Sequence, residues 1–250
     1  MIATVVNYLA DFLPSEKRLG QPFCLNPACR KSITWTGYLI LQRCSYCSSS
    51  RGKRTYAVLL LIIISAIYLW FEHPMRSGIL CSLIVLGYLF TIGIIDFEHH
   101  LVMRPLSIAG LVLAAFAGCI QNGWFITALG GFTGFVVMYL FYFFGKILNR
   151  FRVRLLAQAS NGKEVLASGD VTLFTILGLL MGWPHIWYGL LLGILFAGFA
   201  SLLIILALII KREYRQQFLT FFIPFGPAYI LSTILLVYLP NLFGRILISL

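Results

Sequence analysis

Two aspartates stand where long apolar runs meet polar loops. One is Asp96, in Ile95-Asp96-Phe97-Glu98-His99-His100, and the other is Asp170, in Ala167-Ser168-Gly169-Asp170. Two carboxylates held within a few ångströms cannot both ionise easily, so one keeps a proton while the other acts as a base. Such a pair can take a proton from a shared water and polarise a carbonyl, which is the chemistry of peptide-bond hydrolysis. The alternative is that each aspartate only caps a helix at a membrane boundary. Asp170 suits that role, since it precedes the apolar Val171-Thr172-Leu173. Spacing alone leaves both readings open.

Four cysteines form a second constellation. Cys24, Cys29, Cys44 and Cys47 share one basic polar segment. The spacing of Cys44-Ser45-Tyr46-Cys47 lets two thiolates reach one tetrahedral zinc ion. Cys24 and Cys29 have four residues between them, and 14 residues separate the two pairs, which suits a small zinc knuckle. On a cytoplasmic face disulfides are disfavoured, and the remaining alternatives are four reduced structural thiols or a redox pair. Cys81 and Cys119 lie inside apolar runs and read as small packing residues.

The elements that must position these groups follow from composition. Of 250 residues 60% are hydrophobic and 11% charged, with a mean hydropathy of +0.92. Soluble domains carry about 25% charged residues, so the expected class is an all-α polytopic membrane protein. Apolar runs at 56–71, 78–95, 106–121, 124–144, 170–182, 186–210 and 217–239 give about seven transmembrane helices. A bilayer needs about 20 helical residues, and the first, third and fifth runs fall short of that. Residues 1–55 form an N-terminal Cys-rich module, polar and loop-rich over 11–55, and residues 56–250 a transmembrane domain. Met1 to Ala10 lacks a basic flank and is interrupted by Asp11, so no signal peptide is expected.

The net charge of +11 sits in loops beside apolar spans, where a lipid bilayer accounts for it and nucleic acid is not expected. With seven spans, all but Arg76 and Arg245 of the 19 basic residues fall on one side, which is then the cytoplasmic side. Asp96 ends a span running inward and Asp170 opens one running outward. Both are therefore expected at the cytoplasmic membrane boundary. Glu98, His99 and His100 read as a solvated inner loop, or as groups that tune Asp96 or touch substrate. Gly130, Gly131 and Gly134 within a span predict close helix packing. The aromatic cluster from Phe132 to Phe144 predicts a lipid-facing or packing surface.

At these residues the chain resembles the type IV prepilin peptidase family. Gly169-Asp170-Val171 before an apolar helix is similar to that family's GxGD motif, and Asp96-Phe97-Glu98-His99 to its first aspartate segment. Ile223-Pro224-Phe225-Gly226-Pro227 resembles its Pro-Phe-Gly-Pro segment, where two prolines and a glycine break the helical ladder at membrane depth. Val6-Asn7-Tyr8-Leu9 with Leu13-Pro14, followed by the cysteines, resembles the stretch after the family's first helix, which is almost wholly absent before Val5. Met103 stands where the family has a proline, Ala167 replaces the first glycine of GxGD, and Thr172 replaces a common lysine. Tyr56-Ala57-Val58-Leu59-Leu60 lacks the family's proline and carboxylate.

The resemblance implies an intramembrane aspartyl endopeptidase of an inner (cytoplasmic) membrane. It would cut basic leader peptides from type IV prepilin or pseudopilin precursors, with Asp96 and Asp170 catalytic. Gly169, Pro224, Phe225, Gly226, Pro227 and Glu98 would face the substrate. Structural Zn2+ on the four cysteines is implied, as is methylation of the new N-terminus with S-adenosylmethionine. The presenilin-like group shares GxGD but calls for Pro-Ala-Leu in a late helix, where this chain has Pro-Phe-Gly-Pro. A transporter or non-catalytic scaffold is the alternative from another class, but it calls for repeats and mid-membrane charges, and no repeat is visible. An inactive family member, given Met103 and Ala167, is the third alternative.

Overall fold

The computed structural model describes residues 1–16, 20–24, 26, 29–40, 42–48, 51–72, 75–99, 103–156, 168–210 and 225–240. The expected all-α membrane class holds. The helices are α1 (Ile2–Glu16), α2 (Trp35–Leu39), α3 (Lys53–Phe71), α4 (Ile79–His99), α5 (Arg104–Asn122), α6 (Trp124–Leu156), α7 (Ser168–Met181), α8 (His185–Ile210) and α9 (Phe225–Tyr238). Five segments are long and apolar enough to cross a membrane: Lys53–Phe71, Ile79–His99, Arg104–Asn122, Trp124–Ile147 and His185–Ala207. They coincide with five of the seven expected runs. The other two runs lie on the shorter apolar helices Gly169–Met181 and Gly226–Tyr238, with residues 217–224 outside the described set.

The chain divides into two compact units, Met1–His99 and His100–Leu250. In the first, α1 packs on α3 and α4. Ala3, Val6, Ala10 and Leu13 recur every three or four residues and are all buried, the stripe of a helix with one apolar face. Ala3 and Val6 meet Val58 and Ile62 of α3, with Phe90 and Ile94 of α4 closing the cluster. Asn7 donates from Nδ2 to the Thr55 carbonyl at 3.3 Å and ties α1 to α3. Residues 11–16, expected in a loop-rich stretch, are helical, because Phe12 and Leu13 continue the buried face of α1 past Asp11.

In the second unit α7 lies against both α5 and α6. The contact is made backbone to backbone. A methyl group on Gly130 or Gly134 of α6 would strike the carbonyls of Gly178 and Phe174, and one on Gly118 of α5 would strike that of Leu179. The glycines thus perform the close packing their spacing predicts. α5 ends at Gly123, whose φ of 86° is open to glycine, and α6 starts at once. At this end Asn122 Nδ2 donates to the Leu180 carbonyl at 3.2 Å and the Trp183 N–H to that of Ile126 at 3.1 Å. α6 then runs for 33 residues, so the helix continues through 145–156, where a loop was expected. No proline or glycine lies between Gly145 and Leu156 to stop it.

Packing this close leaves no room for side chains. Gly134→Leu or Gly130→Val is expected to destabilise the protein by about 2 kcal/mol or more. A lowered thermal midpoint in detergent, beside an unchanged one for Gly145→Ala, where nothing lies within 4 Å of the added methyl, would check this.

Candidate active site and candidate metal centre

Asp96 lies in the last turn of α4 and is 5% exposed. A carboxylate there meets the negative end of the helix dipole, so Asp96 is not a capping residue. Phe97, Glu98 and His99 follow on the same helix, all exposed, and not in the solvated loop that was expected. His100 lies outside the described residues. Glu98 is ion-paired with Arg54 of α3, and His99 Nε2 is 4.0 Å from the same carboxylate. Met103 is the N-cap of α5, and Pro105 occupies its first turn, where a missing N–H costs nothing.

Asp170 lies in the first turn of α7, half-buried after Gly169. A carboxylate is favourable at this positive end, so its helix-stabilising role survives beside a catalytic one. Thr172 donates from Oγ1 to the Gly169 carbonyl at 2.7 Å, which braces the turn. Ala167 and Pro224 lie outside the described residues. Phe225, Gly226 and Pro227 lie on α9, with Gly226 buried and Pro227 partly so. The break expected around Pro224 lies outside the described residues.

The second unit brings two of these parts together. Phe174, four residues after Asp170, meets Tyr229, two residues after Pro227, edge to face with ring centroids 4.2 Å apart. Met181 and Leu236, at the far ends of the same helices, both flank Gly189 of α8. α7 and α9 therefore run side by side in one direction. The Ser232 hydroxyl, donating to the Gly189 carbonyl at 3.0 Å, and the Tyr229 ring against Gly193 hold α9 on α8.

The four cysteines converge. Cys24 sits on a small hairpin in which its N–H donates to the Lys31 carbonyl at 2.9 Å and Phe23 bridges Ser32. Cys29 follows a turn closed by its own N–H on the Asn26 carbonyl at 3.0 Å. Cys44 to Cys47 form a second turn, closed by the Ser48 N–H on the Cys44 carbonyl at 2.8 Å. Lys31 lies over the Tyr46 ring at 4.1 Å and joins the two halves. All four Sγ atoms lie within 4.8 Å of one another, with Cys24 to Cys47 at 3.5 Å and Cys29 to Cys44 at 3.9 Å. None is in a disulfide. Four thiolates at about 2.3 Å from one tetrahedral ion stand about 3.8 Å apart, so the set fits a metal.

The thiols are not equivalent. Backbone N–H groups of Tyr46 and Cys47 pull Cys44 down to about 6, whereas burial pushes Cys24 up to about 12. Cys44 is thus a thiolate above about pH 6 and protonates as pH falls through that value, while Cys24 yields its proton only to a metal. Thiolate absorbance of the metal-free reduced protein is expected to show one group titrating near pH 6 that Cys44→Ser removes. A bound metal should be retained at pH 7 and released progressively in acid below about pH 6.

Sequence reasoning missed Asp11 and Arg54. The Asp11 side chain is 2% exposed and ion-paired with Arg54, and its Oδ2 accepts from the Tyr38 hydroxyl at 2.9 Å. The available signal was an acid in a chain with only eight, placed within an apolar helical stripe.

Comparison with known proteins follows the same lines. Residues 83–206 match the type IV leader peptidase family. That span includes Asp96 and Asp170; the four cysteines precede it, and Pro224 to Pro227 follow it. The prepilin leader peptidase/N-methyltransferase of Vibrio cholerae serotype O1 is 25% identical over 222 residues, covering 84% of this chain and 78% of that protein. No solved structure matches.

Proposed function

Because residues 83–206 match the type IV leader peptidase family, we propose that this chain is a member of it and an aspartyl endopeptidase acting on type IV prepilin or pseudopilin precursors. Asp96 and Asp170 are the catalytic pair in this reading. One carboxylate, ionised, takes a proton from water as that water attacks the scissile carbonyl. The other, protonated, donates a hydrogen bond to the carbonyl oxygen and then supplies the proton the leaving amine needs. The pair regains its starting state with one proton between them. Gly169, Glu98 and the segment Pro224, Phe225, Gly226 and Pro227 form the wall that faces the precursor. The observation that supports this reading is the Phe174–Tyr229 contact, which sets α7, with Asp170 in its first turn, beside α9, which carries Gly226 and Pro227.

The enzyme sits in the inner membrane, with its cysteine module (within residues 1–55) and both aspartates at the cytoplasmic face. That orientation rests on the distribution of Lys and Arg. The peptidase proper is the transmembrane region within 56–250. The four cysteines hold a structural Zn2+, which folds the module and takes no part in hydrolysis. Methylation of the new N-terminus from S-adenosylmethionine is a second activity in this reading, one that the name of the Vibrio relative also carries.

Replacing either aspartate with asparagine is expected to lower precursor cleavage in membranes by about 100-fold or more, with the protein still inserted. Full processing by Asp96→Asn or Asp170→Asn would sink the mechanism. Transfer of label from S-adenosylmethionine to the cleaved product reads the second activity separately.

A further inference from the structure

The first unit holds an ion network that the chemistry above leaves unused. Arg54 stands in the first turn of α3 and reaches two carboxylates at once, Nη2 to Asp11 Oδ1 on α1 and Nη1 to Glu98 Oε2 on α4. A carboxylate buried as deeply as Asp11 persists only where its charge is met. Its second oxygen takes the Tyr38 hydroxyl. Tyr38 is itself 1% exposed, lies on α2 between the two cysteine pairs, and carries the Arg51 guanidinium 3.8 Å from its ring centroid. Phe23, beside Cys24, packs on Phe12, beside Asp11, with centroids 4.7 Å apart. The cysteine module reaches Arg54 through Tyr38 and Asp11, and Arg54 reaches onward to α4 through Glu98.

Glu98 lies two residues beyond Asp96, about 200° around the helix at 3.6 residues per turn, so the two side chains leave opposite faces. The last turn of a helix lacks its closing hydrogen bonds and frays readily. A tether on Glu98 fixes the rotation of that turn, and with it the direction in which Asp96 leaves the helix. Only an arginine does this with one side chain, since its planar fork can serve two carboxylates where a lysine is a point charge.

We propose that Arg54 is a positioning residue for Asp96: by clamping Glu98 to the buried Asp11 it locks the last turn of α4 onto α1, α3 and the cysteine module. This rests on the reading of Asp96 as catalytic. Misplacement of a reacting group by about 1 Å can cost about 100-fold in rate. Arg54→Ala, in the full chain in membranes, is therefore expected to lower kcat about 10- to 100-fold with KM for the precursor within about twofold, and Glu98→Ala to lower kcat by a similar factor. Because both act through one clamp, the double variant should be no slower than the slower single. Arg54→Lys should recover part of the loss. Glu98→Ala keeps the Asp11–Arg54 pair, so it tests the clamp even if Arg54→Ala fails to fold. Hydrogen exchange at amides 95–99 should quicken several-fold in Arg54→Ala and Glu98→Ala, while 82–92 stays unchanged. Losses that multiply in the double variant, a loss confined to KM, or unchanged exchange at 95–99 would each overturn the proposal. Asp96→Asn run alongside separates the two ideas: its activity tests the catalytic reading alone, and the exchange rates test the clamp alone.

Discussion

A buried carboxylate that must not be left alone governs the first unit. Taking Asp11 out of water on the apolar stripe of α1 is costly unless a cation and a donor come with it. Arg54 and the Tyr38 hydroxyl meet that demand from two directions. Satisfying it fixes where α3 must begin relative to α1, since Arg54 is in the first turn of α3. It also fixes where the loop-rich stretch after α1 must come to rest, since Tyr38 belongs to that stretch. Small segments with little core of their own seldom hold one shape. This one is held by a hydrogen bond, by the packed rings of Phe12, Phe23, Tyr8 and Tyr38, and by a cysteine cluster suited to a metal.

The second unit is organised by shape where the first is organised by charge. Glycines on α5, α6 and α7 remove the side chains that would keep the helices apart, so backbone rests on backbone. Such contacts have little tolerance for rotation or sliding, because a shift of a few residues brings a side chain against a carbonyl. The direction of Asp170 is thereby set along the whole length of α7 and not by its own turn alone. Ring packing between Phe174 and Tyr229 carries that placement across to α9, on which Gly226 and Pro227 lie.

Much of this was legible in the chain. Seven apolar runs, the three small residues at Gly130, Gly131 and Gly134, and the paired cysteines each encode a local requirement that side-chain type and spacing express directly. The helical nature of residues 2–16 was less so, because Asp11 breaks the hydropathy of the stretch and only its distant partner explains it. Arg54 pairs with residues about 43 positions before it and 44 after it. In the sequence it is one more basic residue marking a membrane side. The reach of α6 to Leu156 was hidden for a related reason, since hydropathy falls after Ile147 while helix propensity does not. Pro224 to Pro227 read as an interruption because proline excludes helix interiors, and of that segment only Phe225 to Pro227 lie among the described residues, on α9.

The end of α7 also fixes a depth. Leu180 and Trp183 are hydrogen-bonded to the turn between α5 and α6, and exposed Trp124, Trp183 and Trp187 gather there as aromatic residues do at a membrane–water interface. From Met181 back to Asp170 is eleven helical steps, about 17 Å at 1.5 Å each. A hydrocarbon layer is about 30 Å thick, so this stretch alone would not cross it, and keeping Asp170 at the headgroups would need the layer to thin around α7. In the reading of Asp170 as catalytic, such thinning would let water reach the carboxylate from one side of the bilayer.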